Sequence, residues 1–173
     1  VIVPAGYFLP VTPGTKFITL GGAVASNIHG KNHHKEGAIA RYIESMDILT
    51  ERGMVCNCSA VNEPELFART IGGMGLTGII LTVTLRLKKI ETSYIRQKSV
   101  KAKCLQQILE FFEEYQEYTY SVAWIDCLAK GQQLGRSILM LGEHALTSEL
   151  ETRQRSNPLK IHSDRQINVP FMF

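Results

Sequence analysis

No apolar run in the 173-residue sequence approaches the ~20 residues a bilayer-spanning helix needs; the longest, such as Gly78 to Val83, stop far short. No basic segment precedes an apolar stretch at the start, and Pro4 and Gly6 interrupt one, so no signal peptide is visible. Charge of one sign is scarce as well. Nineteen Lys and Arg against 16 Asp and Glu leave a formal charge of +3, too weak and too evenly spread to argue for nucleic acid. Hydrophobic residues make up 45% and charged residues 20%, a balance that excludes a disordered chain. Cysteine is sparse. Cys56, Cys58, Cys104 and Cys127 read as reduced thiols, and a lone Cys-x-Cys is a poor metal signature.

Two catalytic motifs are missing outright. The sequence holds no G-x-x-x-x-G-K-[ST] phosphate loop and no G-x-S-x-G nucleophile elbow. Gly73, Gly75 and Gly78 spell G-x-G-x-x-G, but they precede a strand instead of following one and opening a helix, so the Rossmann context is inverted. Glycine itself is lopsided: 11 of 14 fall in the first 78 residues. Since glycine serves sharp turns and close approaches, the two halves read as different structures.

What remains is a legible succession of elements. Tyr7 to Thr19 reads as irregular chain around a Pro13-Gly14-Thr15 turn, and Ile18 to Asn32 as a short helix with a thin surface. Ser45 to Leu49 and Met54 to Cys58 form a hairpin through Glu51-Arg52-Gly53. Asn62 is expected to cap a helix opening at Pro64, with Glu65 completing a capping-box spacing. Leu81, Val83, Leu85 and Leu87 alternate with polar residues, which predicts a strand with one buried and one wet face. Further on, Tyr94 to Val100 reads as a strand, Ala102 to Tyr115 as an amphipathic helix, and Tyr118 to Asp126 and Gly135 to Gly142 as two strands. Strand, helix, strand, strand predicts an α+β layer. On the third of these, Tyr120 and Trp124 share a face, read first as core and second as a pocket wall.

The densest chemistry lies in His29-Gly30-Lys31-Asn32-His33-His34, which holds three of the five histidines. A metal site is weakly supported, because no carboxylate or thiol shares the motif at a spacing that completes a tetrahedral set. The other readings are a solvated polar loop, or an anion or cofactor site where His29 and Lys31 donate and Gly30 admits the ligand.

Taken together, Pro13-Gly14-Thr15, Thr19-Leu20-Gly21-Gly22-Ala23, Ile28 to His34 and Gly72 to Ile80 resemble, in this order, the FAD-linked oxidases of the vanillyl-alcohol-oxidase type. The chain is most similar to the decaprenylphosphoryl-β-D-ribose 2-oxidase group, and the similarity spans nearly all of it. The resemblance implies that residues 1–90 are the C-terminal part of a PCMH-type FAD-binding domain, and residues 91–173 the start of an α+β substrate domain. It implies FAD as cofactor, lined by Gly14, Thr19, Leu20, Gly21, Gly22, Ser26, Asn27, Ile28, His29 and Ile80. Glycines there let backbone N–H groups reach a pyrophosphate. His29 and Lys31 are implied as catalytic, Lys31 and Trp124 as pocket residues, and no metal.

The implied reaction is hydride transfer to flavin from a sugar carbinol, most closely the 2-hydroxyl of a polyprenyl-phosphoryl ribose. The implied partners are a sugar or lipid-linked sugar and a reductase completing an epimerisation, with no nucleic acid and no integral membrane segment. The implied location is cytoplasmic, with membrane contact only through a lipid-linked substrate. A sugar or aldonolactone oxidase of the same superfamily stands as an alternative, as does a non-catalytic ligand- or metal-binding module using the His29 to His34 loop. Ala68, the segment Ala38 to Ile43 and Val122 depart from the family's usual residues, which bears on substrate more than cofactor. Val1 in place of Met, and the apolar ending Val169 to Phe173, read as an excerpt. The family's glycine-rich FAD loop would then precede residue 1 and its general-base lysine follow residue 173, so the chain alone is expected not to turn over substrate.

Overall fold

Three antiparallel sheets organise residues 1–161, the span that the computed structural model describes. The Val169 to Phe173 run lies outside that span. Strand β1 (Tyr7–Phe8) pairs with β5 (Lys88–Lys89) and ties the start of the chain to the middle. The first half is built around β2 (Ile43–Leu49), flanked by β3 (Val55–Ser59) and β4 (Ile79–Leu85) in the order β3-β2-β4. The expected hairpin forms, its turn closed by Gly53 at φ +71° and by the Gly53 N–H donating to the Thr50 carbonyl at 3.0 Å. Helix α1 (Leu20–Ala25) packs Ala23 and Val24 onto Ile43, Met46 and Ile48 of that sheet. Glycine-rich sequence is a poor helix former, so α1 is short and is held by this burial and by Thr19, whose Oγ1 accepts from the Gly22 N–H at 3.1 Å.

Two expectations need correction here. Asn62 does not cap α3 (Pro64–Thr70): the cap position falls to Glu63 at φ +49°. The Asn62 amide instead donates to the Asn57 carbonyl at 2.6 Å, and Glu65 pairs with Arg69 one turn along. The alternation of β4 is also broken. Asp47 pairs with Thr82 while Ile48 pairs with Ile80, so Leu81 is an extra residue in a bulge. Ile80, Val83 and Leu85 then reach the core, while Leu81 and Leu87 stay exposed.

The glycine cluster ahead of β4 serves the fold. Gly72 donates to the Val24 carbonyl at 3.0 Å and Met74 to the Ala25 carbonyl at 2.9 Å, satisfying the last carbonyls of α1. In the second half, β6 (Ile95–Ala102), β7 (Tyr120–Ile125) and β8 (Ser137–His144) form a sheet in the order β6-β8-β7. Helix α4 (Leu105–Glu114) covers one face, where Ile108 meets Ala102, Leu139 and Leu141. Short helices α2 (His33–Glu36) and α5 (Thr152–Arg155) complete an α+β architecture with two separate hydrophobic clusters. No described helix is long and apolar enough to cross a membrane.

Candidate functional site

Residues 29–36 form a strap anchored from both sides. Asn32 is buried and its Nδ2 donates to the Pro10 carbonyl at 2.7 Å. The Thr12 carbonyl presses on Gly30 so closely that a Cβ there would lie 2.1 Å from its oxygen. This corrects the role expected of Gly30: the space it leaves is taken by the protein's own backbone, not opened to a ligand. On the far side the Lys31 carbonyl accepts from the Ser121 N–H at 2.9 Å, His34 Nε2 lies 2.9 Å from the Tyr118 carbonyl, and Lys35 Nζ donates to the Glu117 carbonyl. The strap is therefore anchored, while His29, Lys31, His33, His34 and Lys35 stay exposed to solvent. Among the described residues no group of three or more His, Cys, Asp or Glu is placed to hold a metal ion. His29 and His33 instead meet edge to face, centroids 4.9 Å apart.

The residues singled out for a cofactor fall in two groups. Thr19, Leu20, Gly21 and Gly22 form the exposed first turn of α1, where the N–H groups of Leu20 and Gly21 have no i−4 carbonyl inside the helix. Ile80 stands behind them, its Cβ 3.7 Å from where a Gly21 Cβ would sit. Ser26 and Asn27 end the helix. Asn27 adopts φ +43°, and its Oδ1 accepts from Ala40 at 3.2 Å while the Ile28 carbonyl accepts from Ile39 at 2.9 Å, which leads the chain to exposed His29. Gly14 is exposed with open space around it. Exposed Phe17, Ile18 and Leu20 add apolar surface beside these donors. Orphan N–H groups for oxyanions, a thin glycine surface and an apolar strip fit a dinucleotide that carries a fused aromatic ring.

A cavity of about 590 Å³ lies where the two halves meet. Lys31 and Thr12 enter it from the strap side, Phe8 and Ile90 from the first half, and Tyr120, Val122, Met140 and His144 from the sheet face opposite α4. Lys31 is thus brought to the cavity. Trp124 shares the β7 face but lies beyond the lining, 62% exposed.

The cavity also brings together Tyr120, which the sequence offered with Trp124 as a pocket wall, and His144, which sequence reasoning passed over. Tyr120 Oη lies 3.2 Å from His144 Nε2. Burial, reinforced by Glu36 and Glu143, pushes the Tyr120 phenol up to about 12, and burial together with Lys88 holds the His144 imidazole below its usual range. Both groups are neutral at pH 7. The available signal was strand parity, because Met140, Gly142 and His144 alternate with core residues Leu139 and Leu141.

Residues 1–59 match the FAD binding domain family. Over 99% of its length the chain is 36% identical to decaprenylphosphoryl-β-D-ribose oxidase of Mycolicibacterium smegmatis, covering 38% of that protein. It is 37% identical to an uncharacterized protein of Streptomyces coelicolor, over 91% of this chain and 43% of that one. L-gulonolactone oxidase of Bos taurus is 33% identical over 40% of the chain and 16% of its own length. The chain therefore spans about two fifths of the length of the curated relatives it matches most fully. Residues 1–59 thus carry the match to the FAD binding domain family, and the chain as a whole is similar to FAD-linked oxidoreductases.

Proposed function

We propose that the full-length protein oxidises a sugar hydroxyl, with the 2-hydroxyl of a polyprenyl-phosphoryl ribose as substrate. The observation that carries this reading is 36% identity, sustained along 99% of the chain, to a protein named decaprenylphosphoryl-β-D-ribose oxidase. In this reading residues 1–90 belong to the FAD-binding domain and residues 91–173 to the substrate domain. Bound FAD supplies the acceptor for the hydride leaving the carbinol carbon. Gly14, Thr19 to Gly22, Ser26 to His29 and Ile80 hold the cofactor through backbone donors and close packing. His29 orients the ring region. Lys31 presents its ammonium to the anionic or polar part of the substrate inside the cavity, an attraction strengthened wherever water is excluded. Trp124 closes the outer part of the same sheet face over the bound sugar.

The substrate is lipid-linked, so membrane contact comes through it, at the cytoplasmic face, and a reductase partner completes an epimerisation of the oxidised sugar. Relatives named L-gulonolactone oxidase and D-arabinono-1,4-lactone oxidase support an aldonolactone as the second reading.

The test is direct. The flavin-loaded full-length protein is offered a prenyl-phosphoryl ribose and an aldonolactone, and bleaching of the flavin absorbance is followed anaerobically. Bleaching by the ribose substrate is expected, slowed in His29→Ala and Lys31→Met. Bleaching by the lactone alone overturns the substrate assignment. Unchanged flavin retention and rate in His29→Ala overturns the role given to His29.

A further inference from the structure

On the face of the β6-β8-β7 sheet opposite α4, strand register sets the side chains in rows. Tyr120 stands opposite Gly142, and Gly142 opposite Gln97; in the next row His144 stands opposite Ile95. Gly142 contributes no side chain to its row. A Cβ there would lie 3.1 Å from Ile95 Cγ2 and 3.5 Å from Tyr120 Cβ, so its neighbours already close over it. The phenol therefore reaches along the strand, and its oxygen comes to 3.2 Å from His144 Nε2. Phe8 fixes the imidazole edge to face at 5.4 Å between centroids, and Lys88 Nζ lies 5.6 Å from the Tyr120 ring centroid. The pair is thus held in place on an otherwise largely apolar cavity wall.

A neutral imidazole carries one N–H, and the placement of that proton leaves the same consequence in both tautomers. With the proton on Nε2, the imidazole donates to Oη and the phenol proton is free to donate into the cavity. With it on Nδ1, the phenol donates to Nε2 and the oxygen lone pairs are free to accept. Either way Tyr120 keeps one hydrogen-bonding position that His144 does not use. A ligand hydroxyl, which donates and accepts, serves both states. A phosphate or carboxylate only accepts, so it serves only the first state, and an ammonium only donates, so it leaves the phenol proton of that state unused.

We propose that Tyr120 is a specificity-determining residue that binds a ring hydroxyl of the substrate, with His144 as its positioning residue and Phe8, Val122 and Met140 packing the substrate's apolar remainder. This inference rests on the reading above that the cavity receives the substrate.

Two probes separate the two claims: octyl β-D-ribofuranoside, and an octyl-chain tetrahydrofuran without ring hydroxyls, each titrated calorimetrically into the full-length protein. The native protein is expected to favour the hydroxylated probe. Tyr120→Phe keeps the ring and removes one neutral hydrogen bond, so it should weaken the hydroxylated probe about three- to tenfold and leave the other unchanged. His144→Gln, whose amide can still hold the phenol, should retain the preference, while His144→Leu should reduce it. Equal weakening of both probes, or no change in either, overturns the role of Tyr120 and leaves the substrate cavity standing. Failure of both probes to bind the native protein overturns the cavity reading and this inference with it. Far-UV circular dichroism identifies a variant that has not folded, in which case the His144 pair alone decides.

Discussion

Replacing Gly30 with alanine tests whether the strap over residues 29–36 is locked from beneath. The added Cβ would sit 2.1 Å from the Thr12 carbonyl oxygen, more than an ångström inside ordinary contact, and the obstacle is backbone. Overpacking of this kind costs about 1–3 kcal/mol. Relief requires residues 10–12 to move away, which breaks the 2.7 Å bond from Asn32 to Pro10 and strands a buried amide. An unsatisfied buried donor costs about 1–3 kcal/mol. Because movement trades one penalty for the other, the expected total is about 1–3 kcal/mol. Gly14 is the matched control: nothing lies within 4 Å of its Cβ position, so Gly14→Ala should be neutral or gain up to about 1 kcal/mol through the unfolded chain. Urea unfolding of the three proteins, read as midpoint shifts at constant m-value, checks both expectations. Gly30→Ala within about 0.5 kcal/mol of native would refute the lock.

Three further outcomes follow from burial and titration. His144 is held neutral by burial, so its folded-state pKa lies below the unfolded value; the unfolded chain takes up the proton first, and stability is lost as pH falls through and below about 6.5. Unfolding midpoints between pH 7.5 and 5 should therefore decline, and His144→Gln should flatten the decline; parallel curves would remove His144 as its source. Cys127 is exposed while Cys58 is fully buried with its thiol pushed up to about 11, so a thiol reagent should label Cys127 at once and Cys58 only on unfolding. Peptide mapping that finds Cys58 labelled early would contradict the packing of β3. The one tryptophan, Trp124, is 62% exposed, so its fluorescence should be strongly quenched by iodide and protected by octyl β-D-ribofuranoside. Unprotected emission with the probe bound would place Trp124 outside the pocket.

Elements driven by local periodicity were legible in the sequence: α4 with its apolar stripe, the β2-β3 hairpin with its glycine turn, and β6 to β8. What failed was competition between one local signal and another, and between local signals and strand register. Asn62 has the chemistry of a cap, but its amide donates back to the Asn57 carbonyl at the end of β3, five residues earlier, and Glu63 takes the cap position. Leu81 keeps the strand's period, but register against β2 forces it out as a bulge. The candidate site shows the same limit. The His29 to His34 motif stands out by composition, whereas the Tyr120–His144 pair depends on two strands meeting in one register, which neither strand's own sequence announces.

The strap divides its labour between backbone and side chain, and this links the two halves mechanically. Lys31 gives its carbonyl to Ser121 on β7 while its side chain lines the cavity, so one residue touches both halves. Two residues earlier, His29 stands at the end of the segment leading from α1, and three and four residues later His34 and Lys35 grip the carbonyls of Tyr118 and Glu117. Any shift of β7 relative to the first half must therefore pull on the chain that runs from the α1 turn to the cavity. Rigidity in this strap is costly in sequence, since it requires a glycine under the Thr12 carbonyl and a buried asparagine beside it. That cost is intelligible if the distance between the α1 donors and the Lys31 ammonium has to be fixed. A cofactor held at one and a substrate held at the other must meet within bonding reach, and a misplacement of about 1 Å is enough to lose about a hundredfold in rate.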